Sequence, residues 1–471
     1  MQSILKASLL ALLLVACSSP DTSQATPEPM STSSFTGAAG EVKMITLDPG
    51  HFHAALVQKN MYPSVDSVVH VYAPPGDDLQ QHLQRIEQYN TRTEDPTRWT
   101  EKIRTGTDFF DQMIADKPGN VVVLSGNNAK KTEYIHASLE AGLNVLADKP
   151  MVIEPSEYAL LEDAFRAAQE NDVLLYDIMT ERYEITTALQ RALSQQPAVF
   201  GELVPGTVDE PAISKESVHH FFKYVSGNPL VRPAWFFDVA QQGEGVVDVS
   251  THLVDLILWE TFPNQPIDTT EVEVVAARRW ATELDQAQFE QVTGLDEFPD
   301  YLQKDVQDDM LSVYANGEIN FTVRGVHGKA SVVWNFQAPE GAAGRHSGDT
   351  HYSIMRGSKA NLVIRQDAEQ DYQTTLYVEP TVGTAREELE IALEAALKHL
   401  SEQYPGLATR PAANGWEVVI PDRFRLGHEA HFAQVMERYL QYLVDGELPE
   451  WELRNMLTKY YVTTQGYAMS R

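Results

Sequence analysis

In the first part of the chain, short apolar runs alternate with segments in which apolar residues recur every three or four positions. The runs are Val42–Leu47, Val68–Ala73, Val121–Leu124, Asn144–Ala147 and Val173–Asp177. Each run has the length of a buried strand. In the segments between the runs, apolar residues have helical spacing, as at Ile135, Leu139 and Leu143. This alternation predicts an α/β fold, a Rossmann-like doubly wound parallel sheet over residues 41–200. The polar segment Gln88–Asp116 is predicted to be a helical insertion.

The hydrophobic period changes after residue 200. The predicted strands are Phe200–Pro205, Thr270–Ala277, Met310–Tyr314, Glu318–Arg324, Ala330–Phe336, His351–Met355, Ala360–Ile364 and Gln373–Val378. The predicted helices are Arg386–Glu402, His428–Val444 and Glu450–Tyr467. Residues 201–471 are therefore expected to form an α+β domain with a large sheet and a C-terminal helical extension.

The N-terminus is predicted to be a targeting segment. Lys6 is the only charge before the apolar run Leu9–Val15, which is too short to span a bilayer as a mature helix. The run ends at Cys17, the only cysteine, and resembles a bacterial lipoprotein signal; the alternative is an ordinary secretory peptide with an incidental cysteine. We expect residues 1–17 to be a signal peptide, Cys17 to be lipidated, and residues 18–40, rich in Ser, Thr, Pro and Ala, to be a flexible tether. The protein is then an exported lipoprotein, periplasmic or anchored to the outer membrane.

The net charge is strongly negative, -31 for the full chain and -32 without residues 1–16, which carry Lys6. Negative charge repels phosphate backbones and anionic lipid, so we expect no nucleic-acid partner and no membrane contact except through Cys17. It favours substrates that are neutral or cationic overall.

Two motifs carry candidate chemistry. Val121–Pro150 reads as strand, turn, helix and strand, and it delivers Lys149 to the carboxyl end of a strand, where open α/β sheets bind ligands. In His219–Trp259, two glycines precede an apolar helix in which Asp248 and His252 stand four apart, so we expect them to share one helix face.

These motifs resemble the Gfo/Idh/MocA family of NAD(P)-dependent sugar oxidoreductases. The family usually has Glu-Lys-Pro where this chain has Asp148-Lys149-Pro150, and a similar D-x-x-x-H follows a glycine-rich turn. The resemblance implies an open, mostly antiparallel second sheet whose outer face forms a homo-oligomer. It also implies that Lys149, Asp248 and His252 are catalytic. A histidine can take the hydroxyl proton as hydride leaves carbon, a lysine can stabilise charge on that oxygen, and Asp248 can orient the imidazole or a substrate hydroxyl.

The phosphate-binding turn departs from the family pattern. Of G-x-G-x-x-G, only the middle glycine, Gly50, remains; Asp48 replaces the first, and His53 or Ala54 the third. The residues expected to bind the cofactor are Gly50, His51, Phe52, His53, Tyr72, Ser125, Asn127, Asn128, Asp148 and Lys149. No arginine stands at the end of the second strand and acids lie nearby, which favours NAD and leaves NADP open.

Aromatic and hydrogen-bonding side chains suited to sugar faces follow in the second part. We expect Lys223, Tyr224, Arg232, Trp235 and Arg182 to contact substrate. No compact metal-ligand spacing is recognised among the paired histidines, so no metal is expected. The roles of His346, Asp349 and His351 stay open between a polyol pocket and a metal site.

Export constrains the function, because the space outside the inner membrane offers no obvious free NAD pool. The sequence therefore favours an oxidoreductase acting on a carbohydrate or polyol hydroxyl with a tightly bound cofactor. One alternative is an NAD-dependent glycoside hydrolase that oxidises a ring hydroxyl transiently and eliminates the aglycone. Another is a non-catalytic sugar-binding protein.

Overall fold

The computed structural model describes residues 35–225, 228–339 and 348–471. The predicted signal peptide, Cys17 and most of the tether lie outside these ranges. Among the described residues, the N-terminal part contains a parallel six-stranded sheet of order β3-β2-β1-β4-β5-β6. Its strands are β1 Met44–Leu47, β2 Val68–Ala73, β3 Thr100–Thr105, β4 Val121–Leu124, β5 Asn144–Asp148 and β6 Leu175–Ile178.

Helices connect these strands on both faces of the sheet. They are α1 His53–Leu56, α2 Asp77–Thr91, α3 Phe109–Asp116, α4 Lys131–Glu140, α5 Tyr158–Glu170 and α6 Ile185–Ser194. The strand order reverses between β1 and β4, which is the switch point where doubly wound sheets bind ligands.

The expected helical insertion Gln88–Asp116 is wrong, because it contains β3 and α3. β3 reads TEKIRT and is mostly exposed at the edge of the sheet. An edge strand with both faces near solvent needs no apolar alternation, so the hydrophobic pattern does not mark it.

The second part forms a ten-stranded sheet of order β10-β12-β13-β7-β14-β15-β16-β18-β17, with β11 paired to β12, among the described residues. Only the β13–β7 pair is parallel within that description. Its strands are β7 Ile213–Phe222, β10 Val272–Asp285, β11 Val306–Gln307, β12 Met310–Val323, β13 Val326–Gln337, β14 Thr350–Arg356, β15 Ala360–Gln366, β16 Thr375–Pro380, β17 Ala408–Ala412 and β18 Gly415–Val419; a separate hairpin joins β8 Tyr224–Val225 to β9 Asn228–Pro229. The predicted fold class is confirmed.

The remaining helices are α7 Val239–Gln242, α8 Ser250–Thr261, α9 Gln286–Thr293, α10 Arg386–Leu400, α11 His428–Asp445 and α12 Glu450–Ser470. Three strand expectations need correction. Phe200–Pro205 makes only an isolated bridge at Leu203, and Met310–Tyr314 and Glu318–Arg324 are parts of the single strand β12. The central strand β7 was missed because Lys215, fully buried against Glu260 at 2.7 Å, interrupts its apolar pattern.

The C-terminal helices return to the parallel sheet. Phe432, Val435 and Tyr439 of α11 belong to the same buried cluster as Val123 and Leu146 of the sheet. α12 packs against α5, α8 and β10. In the described part of the chain, no helix combines the length and apolarity needed to cross a membrane. The domain limits set out above remain predictions.

Candidate functional site

The turn after β1 keeps a tight backbone despite its missing glycines. Asp48 stands where the first glycine is expected and adopts a left-handed conformation with φ 49°, which aspartate tolerates better than most residues. Gly126, in the turn after β4, presses against it: an added Cβ would lie 2.0 Å from the Asp48 carbonyl oxygen. The two turns therefore meet at the switch point through close backbone contact.

Asp148 is the buried centre of this edge of the sheet. Its Oδ2 accepts a hydrogen bond from Ser125 Oγ at 2.8 Å and lies 2.9 Å from His53 Nδ1. Lys131 Nζ, also buried, donates to the Asp148 carbonyl oxygen at 3.1 Å. Burial alone would raise the pKa of the Asp148 carboxyl, but His53 and Lys131 together hold it well below its usual range. The carboxylate is therefore ionised.

Lys149 follows directly and forms an ion pair with Asp248, Nζ to Oδ1 2.5 Å. Its peptide bond to Pro150 is cis. The other oxygen of Asp248 accepts from Gln242 Nε2 at 3.1 Å. The structure thus brings together two of the three expected catalytic residues.

Asp248 lies before α8 rather than within it, so the expectation that it shares a helix face with His252 is wrong. The chain passes so close to β12 at Gly245 that a Cβ there would lie 1.9 Å from the Ala315 carbonyl oxygen. This close approach holds Asp248 in a turn, and α8 begins only at Ser250.

His252 stands in the first turn of α8. Burial, followed by the positive charge of Lys149, lowers the pKa of its imidazole from 6.5 to about 3. Its Nδ1 is buried and has no hydrogen-bond partner among the described residues. The ring is therefore neutral at physiological pH, and its buried Nδ1 is without a hydrogen-bond partner in the described part of the chain.

A chain of side chains that the sequence did not suggest runs from this centre toward solvent. His53 Nε2 lies 3.3 Å from His428 Nε2, and His428 Nδ1 lies 3.5 Å from Glu181 Oε1. The side chains of His428 and Glu181 are 40% and 38% exposed, whereas His53 is buried. His428 begins α11, and its position depends on the packing of that helix against the parallel sheet.

A groove lies beside the switch point, where doubly wound sheets bind dinucleotides. Gly50 leaves little room for a side chain there, since a Cβ would lie 3.0 Å from Asp78 Oδ2 and 3.1 Å from the Trp235 ring. The groove is lined by Gly50, His51, Phe52, Gln81, Arg85 and Arg232. Arg85 of α2 offers a cation for phosphate and Asp78 an acceptor for a ribose hydroxyl. An acid near the end of β2 was expected, and Asp78 is one of the two there; Arg85 was not expected.

Several expected cofactor residues have other contacts. The side chain of Tyr72 is buried, and its hydroxyl donates to Asp116, the last residue of α3, at 2.8 Å. Because α3 leads into the amino end of β4, this side chain points away from the cofactor groove. Asn127 donates to Gln241 Oε1 at 2.7 Å and Asn128 to the Gln242 carbonyl at 2.7 Å, so both bind α7.

Two expected substrate residues are corrected. Arg182 is buried. Its guanidinium forms ion pairs with Asp255, at 2.6 Å, and with Glu452, at 2.8 Å, so it is not available to bind a sugar. Trp235 lies at the cofactor turn, where its indole donates to Asp78 at 2.8 Å.

Arg232 donates to the carbonyl oxygens of Phe221 and His220 and also lines the groove. Tyr224, in the β8–β9 hairpin, is 43% exposed.

The remaining candidates form a second polar cluster on the larger sheet. Asp349 lies 2.8 Å from Lys223 Nζ, 2.9 Å from His220 Nδ1 and 3.7 Å from His219 Nδ1. Burial lowers the pKa of His351 to about 4. His346 lies outside the described residues, so its suggested grouping with Asp349 and His351 is open.

The chain is similar to a known protein family and to a solved structure. A family model described as "Putative oxidoreductase C terminal domain" matches residues 189–471. A crystal structure described as a "putative oxidoreductase" from Parabacteroides merdae ATCC 43184 is 55% identical, covering 93% of this chain and 99% of that chain at a TM-score of 0.90. No curated protein matches the chain.

More distant solved structures share the fold. Levoglucosan dehydrogenase in complex with NADH and levoglucosan is 13% identical, covering 91% of this chain and 97% of that chain at a TM-score of 0.57. A 3-ketoreductase from Actinomadura kijaniata in complex with NADP is 14% identical, covering 89% of this chain and 95% of that chain at a TM-score of 0.52. These folds agree with the expected Gfo/Idh/MocA-type architecture.

Proposed function

Because the chain belongs to the family described as "Putative oxidoreductase C terminal domain", we propose that it is an NAD(P)-dependent oxidoreductase that acts on a hydroxyl group of a carbohydrate or polyol. The observation that carries the proposal is the Lys149–Asp248 ion pair, held at the carboxyl end of β5 beside a neutral, partly unpartnered His252. The similarity to proteins described with bound NADH and with bound NADP supports the cofactor class.

The cofactor, when bound, supplies a hydride acceptor. The chain's own residues would then bind the sugar and move its proton. Lys149 would donate a hydrogen bond to the reacting oxygen and stabilise negative charge there. Asp248 would hold the Lys149 ammonium in place, because their ion pair is 2.5 Å long and a second bond from Gln242 fixes the carboxylate. His252, neutral at physiological pH, would accept the hydroxyl proton.

The low pKa of His252 in the free protein makes it a weak base, since its imidazolium form is disfavoured. Ionisation of a nearby substrate hydroxyl would add negative charge and favour the protonated ring. We therefore expect the histidine and lysine to act together, with neither sufficient alone.

The proposal is tested by offering free sugars, polyols and glycosides to the full chain with NAD and with NADP. Accumulation of NADH or NADPH, or redox exchange between two sugars, is the expected result. Release of an aglycone without net reduced cofactor, with exchange of a ring proton for solvent deuterium, would identify the glycoside hydrolase instead. Tight sugar binding without turnover of any substrate in the panel would identify a binding protein.

We also propose that the protein is an exported lipoprotein anchored through Cys17. The apolar run that ends at this single cysteine supports the proposal. Cys17→Ala should move the protein from the membrane to the soluble fraction, whereas Ser18→Ala should leave it anchored. Unchanged membrane association of the Cys17 variant would contradict the anchor.

Self-association through the outer face of the larger sheet is a further proposal from the family resemblance. Light scattering of the soluble chain without residues 1–34 should give the mass of at least a dimer, and a monomer at all accessible concentrations would contradict it.

A further inference from the structure

We propose that His51, His53 and Asp148 bind a divalent first-row transition metal. One ligand atom from each lies within 4.8 Å of the other two, and His53 and Asp148 are buried while His51 is partly exposed. The three side chains come from the turn after β1 and from the end of β5, neighbouring parts of one sheet edge.

The distances suit a single ion. Asp148 Oδ2 lies 2.9 Å from His53 Nδ1 and 3.8 Å from His51 Nδ1. Ligand atoms about 2.0 to 2.2 Å from one metal stand roughly 3 to 3.5 Å apart in tetrahedral or octahedral geometry. To bind the ion, the His51 ring would have to move closer and give up the hydrogen bond that its Nδ1 accepts from the His53 backbone N–H at 3.3 Å. Two imidazoles and one carboxylate are the donor set of catalytic sites for metals such as zinc and iron, which leave positions open for water or substrate.

The side chains beyond His53 offer an outer partner for a metal ligand. His53 Nε2 lies 3.3 Å from His428 Nε2, and His428 Nδ1 lies 3.5 Å from Glu181 Oε1.

A metal on His53 Nδ1 would leave Nε2–H to donate to His428 Nε2, and His428 could pass the interaction on to Glu181. Metal-bound histidines characteristically donate their second N–H to such an outer partner, and here the relay ends on a carboxylate. Ser125 Oγ supplies the matching outer bond to Asp148.

Neighbouring charges moderate the affinity. Lys131 and Lys149 oppose a cation, but Asp248 pairs with Lys149 and offsets its charge. A metal at this site would adjoin Lys149 and offer a Lewis acid to a substrate oxygen. The site itself does not depend on the proposed oxidoreductase activity.

The test uses residues 35–471, which are first treated with a chelator to remove any bound metal. Zn²⁺ binding is measured by calorimetry, and Co²⁺ is added as a spectroscopic probe for ligand-field bands. The variants are His51→Ala, His53→Ala and Asp148→Asn, with His136→Ala on α4 as the matched control. Circular dichroism establishes folding, and dinucleotide binding by the same samples is measured separately.

We expect one Zn²⁺ per chain, Co²⁺ bands in the wild type and in His136→Ala, and no bands in the three ligand variants. Their loss of Zn²⁺ affinity should exceed the loss of about 10- to 100-fold expected for the outer variant His428→Phe. Equal affinity in the wild type and in the folded His51→Ala variant would overturn the proposal, as would no Zn²⁺ or Co²⁺ binding by the wild type. Because metal binding is read without substrate or NAD(P), failure of this site is distinguishable from failure of the proposed function.

Discussion

Two buried groups of charged residues, both next to the carboxyl edge of the parallel sheet, differ in whether every ionisable side chain has a partner. The first, which we term the junction network, is Asp177, Arg182, Asp255, Glu452 and Lys459. Every charged head group in it meets an opposite charge within 2.8 Å. The second, the reactive centre, is Lys149, Asp248 and His252, where the Nδ1 of His252 has no partner among the described residues.

The difference separates residues that hold the fold from residues that act. Burying charge is costly unless the charge is paired, so a closed set of ion pairs is consistent with a structural role, joining α12 to β6 and α8. Asp177 Oδ1 in the junction network lacks a partner among the described residues, but the other oxygen of that carboxylate is paired with Lys459. A buried imidazole with no side-chain partner calls for a ligand or a function. Arg182 shows why residue type alone misleads: in the sequence it suits a sugar, whereas its partners assign it to the junction network.

The largest expected effect is on stability. Lys459→Met removes a fully buried cation that lies 2.6 Å from Asp177 and 2.8 Å from Asp255. Leaving Asp177 without a buried cation, while Asp255 keeps only Arg182, should lower the free energy of unfolding by about 3 to 5 kcal/mol, measured by urea denaturation. The exposed pair of Arg454 and Asp268 is the control, and Arg454→Ala should cost less than about 1 kcal/mol. Equal losses of unfolding free energy in the two variants would contradict the distinction between buried ion pairs and surface ion pairs.

At the reactive centre the main effect should be on rate. Lys149→Ala should lower turnover by about 100-fold or more, because it removes the charge that stabilises the reacting oxygen. Its stability should fall less than that of Lys459→Met, since Asp248 keeps its bond from Gln242. Lys130→Ala, an exposed neighbour on the same segment, is the control. Full activity of the Lys149 variant on any substrate that the wild type turns over would refute the assignment.

His252→Ala should also lose about 100-fold in rate if this ring accepts the hydroxyl proton. Asp248→Asn should lose less than either variant, because the amide still orients Lys149 but no longer balances its charge. A larger loss for Asp248→Asn than for His252→Ala would assign the proton to the aspartate instead.

The smallest expected effect is a change in the pH dependence of stability. The imidazole of His252 has a pKa of about 3 when folded and 6.5 as a free group, so the unfolded chain binds more protons between these values. The contribution of His252 to stability should therefore rise from pH 3 to pH 6.5. Urea denaturation across that range should show a shallower rise for His252→Asn. An unchanged slope would mean that the ring is not held neutral.

The regular periodicities predict most of the fold. Buried strands such as β4 and β5 are short apolar runs, and the connecting helices show helical spacing, so both signals are local. β3 and β7 carry no such signal, because β3 is an exposed edge strand and β7 buries Lys215 against Glu260. A buried ion pair between distant segments cannot be read from the pattern of either one.

The residues of the candidate site also fall into those that local sequence predicts and those that it does not. Lys149 is found from sequence because its position at a strand end is local information. His428 contacts His53 across 375 positions, and that contact exists only because α11 packs on the parallel sheet. Asp78 and Arg85 reach the cofactor turn through the course of α2. Residues that tertiary packing brings into a site have no characteristic sequence spacing, so the sequence alone does not identify them.

The central claim is that the groove at Gly50 binds NAD(P), and it is tested most directly by dinucleotide binding. The purified protein is denatured and its supernatant examined for NAD(H) and NADP(H) by absorbance and mass; the cofactor-free protein is then titrated with each dinucleotide by calorimetry. Bound dinucleotide in the wild type, and its loss in Gly50→Val with the fold retained, is the predicted result, because a side chain at Gly50 would collide with Asp78 and Trp235 and fill the turn. Protein that carries no dinucleotide and binds neither form in titration would contradict the claim.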